Sequence, residues 1–226
     1  MAPIKAAIFD LDGTLLDTID DIAEASNRVY GSRGLAPFSI EEMKSLVGEG
    51  AEELVRKAFA SRGVPAPTKA EMAAVIGDYR REYERCWRIH SRPYAGVTEL
   101  LGGLARRGIK TAVLSNKAQM FTELMVTDLL PGHRFDIVRG ALPGVPLKPD
   151  PAAALAIAAE VGVVPAACAF VGDTSIDMRT AREARMFAVG ALWGFRTAEE
   201  LRSSGADVLA ASPADVLALL VDRGQR

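Results

Sequence analysis

Short apolar runs that stop abruptly at polar loops punctuate most of this chain, but none is found between about Asp17 and Arg92. Ile4-Lys5-Ala6-Ala7-Ile8-Phe9 ends at Asp10-Leu11-Asp12-Gly13-Thr14, the pattern of a buried strand running into a loop. The stretch that follows carries helix-start signals instead. Ser39 with Glu42 and Thr68 with Glu71 have capping-box spacing, in which hydroxyl and carboxylate each satisfy an orphan amide. Helices are expected near 18–33, 39–46, 50–62 and 68–88. Beyond Pro93, strands return at 110–114, about 135–138, 167–171, 186–189 and 207–209. Helices near 97–107, 117–130, 151–162, 176–184 and 197–203 alternate with them, and Ser212-Pro213 opens a last amphipathic helix. Asp150 is expected as an N-cap, with Pro151 at the first helical position.

Alternating strands and helices imply right-handed crossovers and a parallel sheet covered on both faces. The expected fold is therefore α/β: a Rossmann-like parallel sheet core from residues 1–16 and 94–226, with a helical domain of residues 17–93 inserted after the first strand. At 226 residues, 49% apolar and 25% charged, the chain can bury a core for such a domain without staples.

Charge and composition exclude several functions. Lysine and arginine number 27 against 29 acidic residues, a net charge of −2, which provides no basic footprint for nucleic acid or anionic lipid. No apolar run approaches the ~18 residues of a membrane span. The N-terminus reaches Asp10 before a signal-peptide core could form, and Cys86 and Cys168 are too few for a disulfide framework, so a cytoplasmic setting is expected. His90 and His133 lie too far apart for a helical zinc pair. No Gly-Lys-Ser/Thr is present, and Gly48-Glu49-Gly50 lacks the third glycine of a dinucleotide fingerprint.

The chemistry lies where strands end. Ligands of open parallel sheets bind outside the strands' carboxyl ends. There the chain delivers Asp10 and Asp12, Ser115 and Asn116, and Gly172-Asp173, with Lys148-Pro149 on a further loop and Asp177 one turn into the helix after Asp173. Taken singly these residues are ordinary turns, caps and loop lysines. Their joint occurrence, in order, at predicted strand and helix ends is not. Four carboxylates in contact need a cation, and oxygen ligands without His or Cys favour Mg²⁺. A carboxylate beside Mg²⁺ and a lysine suits phosphoryl transfer. Two carboxylates spaced i, i+2 can divide the work into nucleophile and proton shuttle.

Asp10-Leu11-Asp12-Gly13-Thr14, Ser115-Asn116, Lys148-Pro149 and Gly172-Asp173-Thr174-Ser175-Ile176-Asp177 resemble, in order and spacing, the four motifs of the haloacid dehalogenase-like hydrolase superfamily. The resemblance spans essentially the whole chain, and the helical insertion is similar to that family's α-helical cap. It implies Asp10 as a nucleophile forming an aspartyl-phosphate and Asp12 as general acid/base. It also implies that Ser115 and the Asn116 backbone bind phosphate oxygens, and that Lys148 pairs with the phosphate and holds Asp10. Mg²⁺ would be held by Asp10, the Asp12 carbonyl and Asp173, with Asp177 supporting the site. Possession of Asp12 sets the chain apart from the true dehalogenases.

Val47 to Val55, Pro93 to Val97, Ser115-Asn116-Lys117 and Gly190 to Phe195 more closely resemble phosphoglycolate phosphatases, which implies a small phosphorylated metabolite as substrate. Arg185 stands where these proteins usually carry a helix-stopping glycine. Glu49 is a candidate to face the substrate from the cap, weighed against an ordinary interhelical turn. Lys117 is read as a solvent-facing lysine in the first turn of a helix, more than as a ligand for a substrate carboxylate. Trp87, Trp193 and both histidines read as packing or surface residues. The alternatives are a broad sugar or nucleotide phosphatase or a phosphosugar mutase of the same superfamily. A receiver-like phospho-aspartate module runs about half this length, without the insertion. Oligomeric state is not legible.

Overall fold

A computed structural model describes residues 3–223 and shows two compact units, one containing the chain up to Leu16 and from Pro93 onward, the other Asp17–Arg92. Met1 and Ala2, where the N-terminal stretch read above begins, lie outside the described residues. In chain order the elements begin with β1 (Ala6–Phe9), β2 (Leu16–Asp17), α1 (Ile19–Gly31), α2 (Ile40–Leu46), α3 (Ala51–Ser61), α4 (Lys69–Cys86) and β3 (Arg92–Pro93). They continue with α5 (Val97–Arg106), β4 (Lys110–Ala118), α6 (Gln119–Leu129), β5 (Ile137–Ala141), α7 (Ala152–Glu160) and β6 (Cys168–Gly172). The last are α8 (Ser175–Glu183), β7 (Phe187–Ala191), α9 (Ala198–Ser203), β8 (Val208–Ala210) and α10 (Pro213–Asp222).

Six strands form one parallel sheet in the order β5-β4-β1-β6-β7-β8, while β2 and β3 pair as a separate ribbon where the chain passes between the units. The order reverses direction at β1, which places a topological switch point at its carboxyl end. Register sets the level of the chemistry: Phe9 pairs with Val113 on one side and Val171 on the other, so Asp10, Ser115 and Asp173 follow the paired residues of the three central strands along one edge. Alternate residues Ala6 and Ile8 join Ala112, Leu114, Phe170, Ala188 and the inner faces of α7 and α8 in a continuous core. Ala7 and Phe9, pointing the other way, are fully buried too, as a sheet covered on both faces requires.

The Asp17–Arg92 unit is helical, and Ser39 and Thr68 close the two capping boxes expected of them. The buried Asp21 carboxylate accepts from the His90 and Ser91 amides and the Ser91 hydroxyl, tying the start of α1 to the end of the unit. Two local expectations need correction. The cap of α7 falls on Pro151, although the Asp150 carboxylate still accepts the Ala152 amide at 2.8 Å. Strand β4 runs on past Leu114 to Ala118 with a register shift, so Lys117 belongs to a strand end and α6 starts only at Gln119.

The helix stop after α8 survives without its glycine. Met186 donates to Ala181 and Arg185 to Arg182, a Schellman closure with Arg185 at φ 57°. A side chain in that left-handed region costs about 1–2 kcal/mol. Arg185→Gly is therefore expected to stabilise the protein by about 0.5–1 kcal/mol after the glycine's extra unfolded-state entropy is set against it, a rise of roughly 1–4 °C in melting temperature. An unchanged or lower melting temperature would show that the exposed arginine side chain repays its strain.

Candidate active site

The centre of the site is one lysine among buried carboxylates. Lys148 Nζ lies 2.9 Å from Asp10 Oδ1 and 2.7 Å from Asp177 Oδ1, with 1% of the lysine side chain exposed. Asp10, Asp173 and Asp177 each place a carboxylate oxygen within 4.8 Å of the others. At such a separation two carboxylates repel by about 3 kcal/mol even at an effective dielectric of about 20, more than one hydrogen bond returns. One ammonium against three carboxylates leaves the cluster short of positive charge, and an all-oxygen donor set suits a hard divalent cation. The residues therefore fit such an ion.

Each acidic group is held differently. Asp10 follows β1, and its amide donates to Val171, fixing it between the central strands. Its Oδ1 accepts both the Leu11 amide at 2.7 Å and the Lys148 ammonium, which leaves Oδ2 turned away from those two donors. Burial pushes Asp10 up to about 7, Lys148 works against this, and Asp177 adds to it. Asp173 accepts the Thr14 hydroxyl on Oδ1 at 2.7 Å and the Phe195 amide on Oδ2 at 2.8 Å. Burial, with Asp177 and Asp10 nearby, pushes it up to about 8. Asp177 closes a capping box on Thr174 with Oδ2 and receives Lys148 on Oδ1, so both its oxygens already serve the scaffold. Burial alone would lower Lys148, but Asp10 and Asp177 hold it above the ordinary lysine range.

Asn116 does its visible work with its side chain: Nδ2 donates to the Lys148 carbonyl and Oδ1 accepts the Lys148 amide, both at 2.9 Å, across a loop whose Lys148-Pro149 bond is cis. This two-point clamp carries Lys148 from a distant loop to the strand edge. The Ser115 hydroxyl accepts the Lys117 amide at 3.2 Å. Asp12 stands outside the three-carboxylate cluster, its two oxygens each 3.0 Å from Lys117 Nζ. Lys117 is thus not the solvent-facing helix lysine expected; the extension of β4 carries it inward onto Asp12. Glu49, in the helical unit, pairs with Lys57 of the same unit.

Three supports went unread in the sequence. Trp193 is not merely packing: its indole N–H donates to the Thr14 carbonyl at 2.9 Å and steadies the loop that carries Asp10 and Asp12. Gly13, at φ 83°, and Gly194 both approach Asp173 so closely that a Cβ on either would collide with its side chain. The signal was present in Gly13-Thr14 and Trp193-Gly194-Phe195, but only folding brings the two runs to one aspartate.

Comparison with known proteins matches this architecture. The family model of haloacid dehalogenase-like hydrolases matches residues 7–191. A phosphoglycolate phosphatase of Nitrosospira multiformis is 32% identical over 212 residues, 93% of this chain and 92% of its own. An N-acetylmuramic acid 6-phosphate phosphatase of Pseudomonas aeruginosa is 28% identical over 218 residues, 96% and 95% of the two chains. The crystal structure of a provisionally assigned phosphoglycolate phosphatase from Lactobacillus delbrueckii subsp. bulgaricus superposes with a TM-score of 0.90 at 30% identity, covering 96% of this chain and 98% of that one. With the family's motif residues gathered at one sheet edge and its model spanning most of the sequence, the chain belongs to the haloacid dehalogenase-like hydrolase family.

Proposed function

We propose that this chain is a Mg²⁺-dependent phosphomonoesterase working through a phospho-aspartate on Asp10, with 2-phosphoglycolate as its preferred substrate. The observation that carries the chemistry is the buried Asp10 carboxylate, held on Oδ1 by Lys148 and the Leu11 amide so that Oδ2 is presented for attack. The substrate assignment is supported by relatives such as the Nitrosospira phosphatase.

Asp10 attacks phosphorus, the ester P–O bond breaks, and its electron pair passes to the leaving oxygen, which takes a proton from Asp12. Water then attacks the acyl phosphate and loses its proton to Asp12. The bond between phosphorus and Asp10 breaks, releasing inorganic phosphate. The Ser115 hydroxyl and the Asn116 backbone amide hold the phosphoryl oxygens, and Lys148 opposes the negative charge that builds there. Mg²⁺ would be held by Asp10, Asp173 and the Asp12 carbonyl, and when bound it supplies positive charge to the phosphoryl oxygens. Asp177 orients Lys148. Residues 17–93 would serve as a cap, with Glu49 a candidate to line the substrate site. Free Cys86 and Cys168 are buried, and burial pushes both thiols up to about 11, which suits a reducing cytoplasm. Among the described residues no helix is long and apolar enough to cross a membrane.

Phosphate release from 2-phosphoglycolate, hexose phosphates, N-acetylmuramic acid 6-phosphate and a nucleoside monophosphate, with Mg²⁺ and with EDTA, tests this reading. Release is expected only with the metal. A kcat/KM at least about tenfold higher for 2-phosphoglycolate, equal to about 1.4 kcal/mol of transition-state discrimination, supports the substrate. Comparable values across the panel would demote it to one substrate among many. The amino-sugar phosphate in the lead would favour the activity for which the Pseudomonas relative is named.

A further inference from the structure

Asp173 is the carboxylate of the cluster that Lys148 does not hold. The ammonium touches Asp10 and Asp177, and each of these places an oxygen within 4.8 Å of Asp173, where like charges repel. Two neutral donors keep Asp173 in place instead. The Thr14 hydroxyl donates to Oδ1 at 2.7 Å and the Phe195 amide to Oδ2 at 2.8 Å. Each donor occupies one lone pair and leaves that oxygen another for a cation. Both donors depend on one side chain. The Trp193 indole N–H donates at 2.9 Å to the Thr14 carbonyl, and Phe195 follows Trp193 by two residues. Thr14, Asp173, Phe195 and Trp193 therefore form a closed ring of contacts between loops 179 positions apart. Gly13 and Gly194 complete the enclosure, each so near that a Cβ would strike Asp173.

We propose that Trp193 is a positioning residue for the divalent cation: its indole N–H sets where Asp173 stands, and so how tightly the cation is held. This deepens the metal-dependent reading above, on which it rests. Before a cation arrives, Asp173 stays beside two other carboxylates only because its donors are fixed. Loss of the indole bond releases the Thr14 carbonyl and the run from Trp193 to Phe195 together, so both donors to Asp173 loosen at once. Binding a cation must then draw Asp173 back into place, and affinity falls. Partners that orient a metal ligand typically change affinity by about 10–100-fold when lost. Trp193 acts one contact further out, so the lower end of that range applies. Once the cation is bound, Asp173 is restored, and turnover at saturating metal is spared.

The test titrates the metal-free full chain with Mn²⁺, a hard cation that suits the same oxygen donors, and reads binding by electron paramagnetic resonance. It compares the wild type, Asp173→Asn, Trp193→Phe and a protein with 3-benzothienylalanine at position 193, in which sulfur replaces the indole N–H in a ring of the same shape. Binding lost in Asp173→Asn identifies this site. Both changes at position 193 are expected to raise its Kd for Mn²⁺ about tenfold. The Mg²⁺ concentration giving half-maximal phosphate release is expected to rise with it, while kcat at saturating Mg²⁺ stays within about threefold of wild type. A role confined to ring packing would weaken binding in Trp193→Phe and spare the sulfur isostere. A shift below about threefold in the isostere, or a loss of kcat that saturating Mg²⁺ does not restore, overturns this assignment and leaves the phosphatase reading standing. Wild-type protein that binds no Mn²⁺ at an Asp173-dependent site overturns the metal requirement as well.

Discussion

Asp10→Asn is expected to abolish phosphate release, lowering kcat/KM by at least about 10⁴-fold while the protein stays folded. The amide keeps the shape of the side chain, and its oxygen can still accept the Leu11 amide that now binds Oδ1 at 2.7 Å. It cannot supply the electron pair of a carboxylate to phosphorus. Lys148 keeps Asp177 as a partner at 2.7 Å, so the change removes one negative charge from a cluster rich in them and leaves no orphaned cation. Phosphate release and a melting curve on one preparation settle the matter. Turnover retained at a tenth of wild type or more would remove the covalent route through Asp10.

Lys148→Met is expected to have the largest effect on stability. It removes the cation that touches both Asp10 and Asp177 and leaves three buried carboxylates facing one another. Breaking a buried pair in this way costs about 3–5 kcal/mol, and in a chain of this size that is a fall of roughly 6–20 °C in melting temperature. The loss should depend on pH in a definite direction. Asp10 and Asp173 already stand raised by burial, to about 7 and about 8, so below those values they take up protons and the repulsion is relieved. The gap between variant and wild type should therefore widen from pH 6 to pH 8.5 and narrow again on addition of Mg²⁺. A gap that does not change with pH would mean that the carboxylates are not what the ammonium holds together.

Much of the fold was legible because it rests on short-range signals. Capping boxes at Ser39 and Thr68 mark helix starts in the structure, and the strand leading to Asp10 stops where its apolar run stops. Lys117 and Asp150 misled for a local reason. Ser115-Asn116 looks like the end of a strand, but pairing with β5 resumes at Ala118, after a register shift that no property of the run Ser115 to Ala118 announces. Asn116 was read for its backbone, yet its side chain is spent on Lys148, a partner 32 positions away. Trp193 looked like packing because the Thr14 carbonyl that it binds lies 179 positions back.

By itself, the sequence determined that Asp10, Asp173 and Asp177 stand at strand and helix ends, because strand ends, caps and motif spacings depend on neighbours within a turn or two of chain. It also determined the parallel sheet, since alternating strands and helices leave few ways to bury both faces. The tertiary structure alone decided what each site side chain touches: Lys148 between two aspartates, Lys117 on Asp12, and Thr14 and Phe195 on Asp173. These contacts join segments brought together only by sheet order and register. Their electrostatic consequences depend on burial, which a sequence does not display and which turns ordinary aspartates and lysines into one coupled cluster.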